Sequence, residues 1–430
     1  MKKRSKVITR YIDLCCGIGG FRVALDAVAL TTGQCFECVL SADIKQDAID
    51  TYNANYGEDL TKTDLTTLID KPDMPAFDLL CAGFPCQPFS SAGSQRGFDD
   101  HRGGIIYSIH ALCQKHKPRH FLLENVANLF SIRDTRTGRP CMELIEEMFV
   151  DIGYKVTFTR LNSSNFSVPQ ARTRVYIVGS LERAVSLDDL PVVRSHATLA
   201  SVIDVADTSS NIDPSFTKKL LKLHQAKSVI GRRLNDKRGG SNNIHSWELN
   251  GDLSVDQIDL MNMLVCERRK KHWAVSKGIV WTDGMPLDLN EIQTFYQHAD
   301  LEDMLGDLVA KGYLVFSHIK DLVNGRREFQ TSKPKGWNMA KGKLSHPIST
   351  ILDPARPAPT LTATDSNRLV VLIGDSCLRR LNRLELRRIC GFPDTHVIPE
   401  HVNAFNLFGN MATPPVIQAI FERMYARVTY

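Results

Sequence analysis

Cys86 has the surroundings of a catalytic nucleophile. The run before it, Phe77–Ala82, is almost wholly apolar and is followed at once by Gly83, Phe84 and Pro85. Such a run predicts a strand buried on both faces of a parallel sheet. Pro85 would end this strand and place the Cys86 thiol at its carboxyl end, where ligands collect in open α/β sheets. A lone cysteine is more often a buried structural residue, so the neighbouring motifs must decide between the two interpretations.

Three charged residues could complete a site with this thiol. Glu124 follows the apolar run His120–Leu123, at the carboxyl end of another predicted strand. A partly buried carboxyl there would have a raised pKa and could donate a proton near neutral pH, although a local cap or ion pair is the alternative. Arg172 and Arg174 alternate into an apolar strand, which predicts that both project to one side. Two guanidinium groups suit a carboxylate, a phosphate or a carbonyl oxygen, whereas an exposed strand edge is the alternative.

A glycine-rich turn near the start of the chain predicts a nucleotide-type binding unit. The predicted strand Tyr11–Cys16 leads into Gly17-Ile18-Gly19-Gly20, and Phe21–Ala29 has helical spacing. Glycines let a ligand approach the backbone closely. Asp43 ends a second strand, where an acid commonly accepts hydrogen bonds from ribose, and Asp64 could bind a purine amino group. Together they suggest an adenosine-bearing cofactor. Because the turn lacks the full dinucleotide fingerprint, a nicotinamide dehydrogenase is disfavoured.

The elements that position these residues alternate between strand and helix up to about Val185, which predicts an α/β domain with a parallel sheet. Residues 186–375 are less regular, apart from a helical hairpin at Leu289–Gly312. The segment 380–394 has the pattern of a capped helix stopped by glycine and proline, and a final helix opens within 409–416.

Composition limits the class of protein. The chain has 430 residues, 43% hydrophobic and 23% charged, which is typical of a soluble protein with a large core. No apolar run approaches the length of a membrane span, so we expect an intracellular protein without a membrane partner. Eleven cysteines without small-domain spacing fit a reducing compartment. Cys35 and Cys38 have no second pair at zinc-finger spacing, and no metal site is predicted.

The positive charge is concentrated in the middle of the chain. Residues 215–345 contain 21 Lys and Arg against 15 Asp and Glu, whereas the rest of the chain is at about −1. This weakly favours a polyanion partner facing that region, and a solvated basic face is the alternative.

With these pieces in order, the chain closely resembles the DNA (cytosine-5) methyltransferases of the bacterial and phage restriction-modification type. The resemblance rests on six blocks that occur in family order: Asp13-Leu14-x-Cys16-Gly17-x-Gly19-Gly20-Phe21, Gly83-Phe84-Pro85-Cys86-Gln87, Glu124-Asn125-Val126, Gln170-x-Arg172-x-Arg174, Arg380-Leu381 through Gly391-Phe392-Pro393-Asp394, and Gly409-Asn410. It implies a Rossmann-like S-adenosylmethionine-dependent methyltransferase domain (1–185 plus 395–430) and a smaller, irregular target-recognition domain (186–394) that the motif 380–394 supports.

The resemblance also implies a cofactor and its site. S-adenosyl-L-methionine would leave as S-adenosyl-L-homocysteine. The glycine turn would hold the methionine part, Asp43 the ribose and Asp64 the adenine amino group. The implied cofactor-binding set is Asp13, Cys15, Gly17, Gly19, Gly20, Asp43, Ile44, Asp64, Leu65, Pro85, Ile105, Asn410 and Met411. Cys15 stands where the family usually has a Phe on the adenine, and Ile44 where some relatives have an aromatic residue.

For the reaction, the resemblance implies catalysis by Cys86, Glu124, Arg172 and Arg174. Adding the Cys86 thiolate to carbon 6 of a flipped-out cytosine makes carbon 5 able to accept the methyl group. Glu124 would offset charge at ring nitrogen 3, and Arg174 would hold the ring oxygen and the Cys86 geometry. Gln87, Ser90 and Thr360 would contact the DNA or the flipped base.

The expected partners are double-stranded DNA and a cognate restriction endonuclease that acts separately, and the expected state is a cytoplasmic bacterial monomer. Two alternatives remain open at this point. One is the transfer-RNA branch of the family, which shares the Glu124-Asn125-Val126 block but normally has a short recognition region. The other is a catalytically silent DNA-binding regulator, against which the intact Cys86, Glu124 and Arg174 argue.

Overall fold

The computed structural model describes residues 7–84, 104–134, 137–193, 197–234, 243–244, 247–280, 284–323, 326–340 and 346–426. The predicted nucleophile Cys86 and its neighbours Pro85, Gln87 and Ser90 lie outside these residues.

The strands are short, and most of the longer ones fall in the first half of the chain. In chain order they are Ile8–Leu14 (β1), Cys35–Ala42 (β2), Leu79–Gly83 (β3), His120–Val126 (β4), Lys155–Asn162 (β5), Gln170–Ala171 (β6), Thr173–Ser180 (β7), Arg233–Leu234 (β8), Asn243–Ile244 (β9), Leu314–His318 (β10), Lys320–Val323 (β11), Arg326–Phe329 (β12), Lys335–Met339 (β13), Thr350–Ile351 (β14), Ala358–Pro359 (β15), Leu369–Ile373 (β16) and Cys377–Arg380 (β17).

The α-helices alternate with the first strands and then cluster in the middle and at the end of the chain. They are Gly20–Thr32 (α1), Gln46–Tyr56 (α2), Gly104–His116 (α3), Cys141–Asp151 (α4), Pro214–Leu223 (α5), Ala226–Val229 (α6), Val255–Glu267 (α7), Lys271–Ser276 (α8), Leu289–Gln293 (α9), Leu301–Ala310 (α10), Arg383–Ile389 (α11), Ala404–Gly409 (α12) and Pro414–Tyr425 (α13). No helix among the described residues is long and apolar enough to cross a membrane.

The chain divides into two compact units, and the first comprises Met1–Ala206, Asp353–Ser366 and Leu381–Tyr430. Its six-stranded sheet has the order β2-β1-β3-β4-β7-β5. Strands β1 to β4 run parallel, and β7 runs antiparallel to both β4 and β5. The predicted α/β fold is therefore confirmed, and the sheet is mixed because β7 runs antiparallel to its neighbours.

Helices cover both faces of this sheet, which explains the wholly apolar run in β3. Leu80 and Ala82 belong to a core that includes residues of α3 and α4. Leu79 and Cys81 belong to the opposite core, which includes residues of α1 and α13. Successive strand side chains point to opposite faces, so a strand buried on both faces needs apolar residues at every position.

The second unit comprises Asp207–Leu352 and Asn367–Arg380. It holds a five-stranded sheet of order β17-β16-β14-β8-β9 and two antiparallel pairs, β10 with β13 and β11 with β12. One core surrounds the fully buried Trp247 and residues of α7 to α10, and a second core lies on the five-stranded sheet. Several of its strands are two residues long, which is too short to leave a periodic pattern in the sequence.

The unit boundaries differ from the predicted domain boundaries. Residues 186–206, 353–366 and 381–394 lie in the first unit, although the sequence placed them with the recognition region. In this unit β15 pairs with β6, and the amide of Asp204 donates to the buried Glu385 carboxylate at 2.8 Å. These pairings join segments that are far apart in the chain, so no local pattern in the sequence predicts them.

Candidate active site

The glycine turn between β1 and α1 has a backbone that side chains would obstruct. Gly17 and Gly19 have φ values of 55° and 82°, in the left-handed region that favours glycine. A Cβ on Gly20 would lie 2.3 Å from the carbonyl oxygen of Ala412. Cys15 has a φ of 51°, which is uncommon for a residue with a side chain. Glycine is therefore favoured by the backbone conformation at Gly17 and Gly19 and required by the close packing of Ala412 at Gly20.

A partly buried polar cluster packs against the turn, and its contacts were not predicted from the sequence. The Arg22 guanidinium lies 4.0 Å from the centroid of the Tyr56 ring and pairs with Glu58. The Tyr56 hydroxyl donates to the carbonyl of Gly19 at 3.4 Å. Asp13 is fully buried, and burial raises the pKa of its carboxyl well above the usual range, with the Arg22 charge opposing this rise. These contacts fix the turn by side chains from α1 and α2.

The two acids predicted to bind an adenosine both have local partners. Asp43 accepts hydrogen bonds from the backbone amides of Gly17 at 2.9 Å and Lys45 at 2.8 Å. Asp64 caps the short helical turn Leu65–Leu68 by accepting from the amide of Thr66 at 2.9 Å. Since a carboxylate has about four acceptor positions, each acid keeps capacity for a ligand.

The apolar members of the predicted cofactor set differ in exposure. Ile44 is 61% exposed. Leu65 is buried in the core that includes residues of α3 and α4, and Cys15 and Ile105 pack against that core while partly exposed. An exposed isoleucine beside Asp43 is available to cover a flat ring.

Glu124 and Arg174 form an ion pair at the carboxyl end of β4. The Arg174 Nε lies 3.2 Å from Glu124 Oε1, and the side chains are only 13% and 10% exposed. In the ladders, Glu124 is opposite Gly83 of β3, and Val126 is opposite Arg174 of β7. Burial raises the pKa of the Glu124 carboxyl, while the charges of Arg174 and Arg172 act against this rise.

Arg172 has different partners from Arg174. It lies between β6 and β7, and its guanidinium donates to the carbonyls of Leu361 at 3.2 Å, Gly409 at 3.2 Å and Met411 at 2.8 Å. Burial, with a smaller effect of the Arg174 charge, lowers its pKa to about 10. Arg172 therefore holds the segment before α13 against the sheet, whereas Arg174 faces Glu124.

The residues predicted in the last motifs lie in segments that Arg172 and β6 hold in place. Thr360 donates its hydroxyl to the carbonyl of Ala171 at 2.8 Å. Asn410 is exposed and donates its side-chain amide to the carbonyl of Asn406 at 2.9 Å, and Met411 is buried. The Gly409 backbone is packed so closely that an added Cβ would lie 2.3 Å from the amide nitrogen of Ala363.

Asn125 is a further residue of this site that the sequence reasoning did not assign. Its side-chain amide donates to the carbonyl of Phe84 at 3.4 Å, and its oxygen accepts from the amide of Val126 at 2.7 Å. Phe84 is the last described residue before Pro85-Cys86. The sequence did contain a pattern that could have identified Asn125, because it stands in the family block Glu124-Asn125-Val126.

Solved structures share this fold at low sequence identity. A methyltransferase of Entamoeba histolytica, EhMeth, matches with a TM-score of 0.52 and 13% identity, covering 97% of this chain and 98% of its own. The Dnmt2 methyltransferase of S. pombe matches with a TM-score of 0.50 and 16% identity, covering 96% and 97%. The chain therefore shares the fold of these two methyltransferases.

Comparison of sequences gives the family. The family model described as C-5 cytosine-specific DNA methylase matches residues 9–426. Type II methyltransferase M.NlaIV of Neisseria lactamica is 38% identical over 96% of this chain and 98% of its own length. Type II methyltransferase M.NgoBV of Neisseria gonorrhoeae is 39% identical over 96% and 98%. The chain belongs to the C-5 cytosine-specific DNA methylase family and is a DNA (cytosine-5) methyltransferase, which confirms the predicted family and enzyme class.

Proposed function

We propose that this enzyme transfers a methyl group from S-adenosylmethionine to carbon 5 of a cytosine flipped out of duplex DNA, as the modification half of a type II restriction-modification system. The observation that carries the proposal is the buried Glu124–Arg174 ion pair at the carboxyl end of β4. It lies beside Gly83 of β3, from which the chain leads through Phe84 and Pro85 to Cys86.

The residues at the ends of β1 and β2 fit S-adenosylmethionine. Gly17 and Gly19 have the left-handed backbone of a tight turn at the end of β1. This turn, together with Gly20, would hold the methionine part of the molecule. Asp43 and Asp64 supply acceptors for ribose hydroxyls and for the adenine amino group. The remaining proposed contacts are Asp13, Cys15, Ile44, Leu65, Pro85, Ile105, Asn410 and Met411. When bound, the sulfonium compound supplies an electrophilic methyl group.

Cys86 is the proposed nucleophile. Its thiolate adds to carbon 6 of the cytosine, and the electron pair of the 5,6 double bond then makes carbon 5 nucleophilic. After carbon 5 has accepted the methyl group, loss of its proton restores the double bond and expels the thiolate. A free thiol has a pKa of about 8.5, so the reaction requires an environment that favours the thiolate.

Glu124 and Arg174 stabilise the ring while charge develops on it. Burial favours the protonated form of the Glu124 carboxyl, so this carboxyl is the proposed donor of a proton toward ring nitrogen 3 as negative charge builds there. Arg174, held by Glu124, is placed to donate to the ring oxygen. Arg172 acts as a positioning residue, because its donors already hold the carbonyls of Leu361, Gly409 and Met411.

The names of the relatives support a proposal for the biological setting. Those with 38% and 39% identity over nearly the full length are named type II methyltransferases. We therefore propose duplex DNA as the substrate, a cognate endonuclease that acts separately, and a monomeric cytoplasmic enzyme. Sequence specificity would reside in the second unit.

Methyl transfer from labelled S-adenosylmethionine to unmethylated plasmid DNA tests the proposal, beside RNA transcripts of the same sequence. We expect label in DNA, none in RNA, and none with the Cys86→Ala variant. Bisulfite sequencing of the product would then give the methylated site. Labelled RNA without labelled DNA, or unchanged transfer by Cys86→Ala, would overturn the proposal.

A further inference from the structure

The second unit carries the positive charge of the molecule. Its residues include 24 Lys and Arg against 18 Asp and Glu, whereas the first unit has 29 against 30. An excess of positive charge in one unit favours contact with a polyanion there. Arg268 is not a contact of this kind, because it is buried and donates to Asn338 at 2.5 Å. Exposed basic side chains of this unit include Arg326 and Arg327.

A two-stranded ribbon of this unit is anchored at one end and exposed at the other. Strands β10 and β13 form its base, where Leu314, Ile319 and Met339 belong to the core around Trp247. The ladder continues through the hydrogen bond from the Gln330 amide to the Ile319 carbonyl at 2.8 Å into β11 and β12. We call β11 and β12 the outer ribbon.

The outer ribbon exposes large apolar side chains to solvent, which is energetically unfavourable unless they contact a partner. Leu322 is 42% exposed and Phe329 is 53% exposed. Every residue of β12 is exposed. A two-stranded hairpin is marginally stable by itself, and exposed apolar side chains on such an element indicate a contact surface.

The two faces of the outer ribbon differ in charge. Directly opposite residues of an antiparallel pair share a face, and the register pairs Lys320 with Phe329 and Leu322 with Arg327. This cationic face has two basic residues and no acidic one. The Lys320 Nζ lies 4.2 Å from the centroid of the Phe329 ring, which agrees with the register.

The opposite face is acidic. The register pairs Asp321 with Glu328 and Val323 with Arg326. Two carboxylates directly across a strand pair repel each other and would repel a phosphate backbone. A polyanion would therefore meet the cationic face and avoid the acidic one.

We propose that the cationic face of the outer ribbon, Lys320, Leu322, Arg327 and Phe329, contacts the DNA substrate in its major groove. The ribbon has four residue pairs, so it is about 13 Å long. A major groove about 12 Å wide and about 8.5 Å deep admits a two-stranded ribbon. This inference rests on the proposed function, since it assigns a contact to that same substrate.

The position of each residue along the ribbon gives its role. Arg327 is in the second pair from the outer end, opposite Leu322. It is the outermost basic residue of the cationic face, so on that face it reaches deepest into the groove and donates to a base edge. Lys320 is in the pair nearest the anchored base and contacts a phosphate. Leu322 and Phe329 supply apolar surface, which suits the methyl group of thymine.

The test compares three variants in binding to a fluorescent duplex that carries the site mapped for the wild-type enzyme by bisulfite sequencing. Arg327→Gln should weaken binding by about 10-fold to 100-fold and relax the choice of sequence. Lys320→Gln should weaken all duplexes alike and lower the slope of log affinity against log salt by about 1. Arg326→Gln removes the same charge from the next residue but on the acidic face, and it should leave affinity nearly unchanged.

Two measurements keep these outcomes distinct. Thermal melting and S-adenosylmethionine affinity must match the wild type in all three variants, because none of these residues lies in the proposed cofactor site. Equal effects of Arg326→Gln and Arg327→Gln, or no effect of Arg327→Gln, would overturn the ribbon proposal while wild-type transfer to DNA still stood. A dimer in sedimentation that Phe329→Ser dissociates would assign the surface to a second copy and also overturn it. Failure of the wild-type enzyme to methylate DNA would instead reject the proposed function.

Discussion

At the scale of single residues, burial rather than residue type separates the roles of the charged groups. Glu124 and Glu147 are both glutamates paired with an arginine. Burial raises the pKa of Glu124, whereas hydrogen bonding from Arg139 lowers the pKa of the exposed Glu147. The carboxyl of Glu124 is therefore better suited to donate a proton than that of Glu147, because burial disfavours its charged form more than the nearby arginines favour it.

Replacing Glu124 by Gln should therefore separate stability from activity. The amide cannot donate an acidic proton, and we expect methyl transfer to fall by about 10²-fold to 10⁴-fold. The folded state binds the Glu124 proton more tightly than the unfolded state, so wild-type stability decreases as the pH rises from 4.5 through the raised pKa. The Glu124→Gln variant has no proton to lose at this position, so its stability does not show this decrease with pH. Its melting temperature relative to the wild type should rise across that pH range and stay level above it.

Glu147→Gln is the matched control for this prediction, since it makes the same change on the exposed face of α4. It should retain methyl transfer. A Glu124→Gln protein that melts below the wild type by one constant amount at every pH would show that the ion pair with Arg174, and not the burial of the carboxyl, dominates the energetics.

At the scale of elements, the strand ends bring the site together, and one arginine holds the remaining segments to them. Strands β3 and β4 place Gly83 beside Glu124, and β7 brings Arg174 to the same end of the sheet. The loops around Leu361 and Gly409 are not part of the six-stranded sheet. The Arg172 guanidinium, next to β7, donates to their carbonyls and so connects these loops to the sheet. The terminal nitrogens of this buried guanidinium find their three carbonyl acceptors only when these loops lie against the sheet.

Arg172→Gln and Arg174→Gln should therefore differ in their effects on stability, cofactor affinity and methyl transfer. Arg172→Gln leaves buried carbonyls without donors, and we expect a loss of about 3 kcal/mol in the free energy of unfolding together with weaker S-adenosylmethionine binding. Arg174→Gln should lose less stability, because Glu124 can take up a proton, and should retain cofactor affinity while methyl transfer is lost. Urea unfolding and equilibrium binding of S-adenosylmethionine would measure both. Equal losses of stability in the two variants would contradict the distinction.

The elements were predictable to different degrees for a physical reason. The alternating burial of β3 leaves a wholly apolar run, and α11 carries a capping box from Asn382 to Glu385, so both were found from local pattern. The approach of Ala412 to Gly20 and the contacts of Arg172 join residues far apart in the chain. Such contacts depend on the packed structure, and neither spacing nor composition encodes them. The family blocks identified the residues but not their partners.

At the scale of the whole molecule, the two units hold separate hydrophobic cores, and the chain enters and leaves the second unit twice. The first excursion is Asp207–Leu352 and the second is Asn367–Arg380. Segments 353–366 and 381–394 therefore belong with the sheet that carries Glu124, although they flank or lie between the recognition segments in sequence. We therefore assign catalysis to the first unit and sequence recognition to the second, although each unit is built from segments that are not contiguous in the chain.

Exchanging segments with a family member that methylates a different sequence tests this division. Exchange of 207–352 together with 367–380 should move methylation to the other enzyme's site, because it transfers the complete second unit with its own cores. Exchange of 353–366 together with 381–394 should leave the methylated site unchanged. Bisulfite sequencing of plasmid DNA reads the site in both chimaeras, and affinity for S-adenosylmethionine shows that each is folded. Methylation that follows 353–366 and 381–394 would place recognition in the first unit, as the boundaries predicted from the sequence imply.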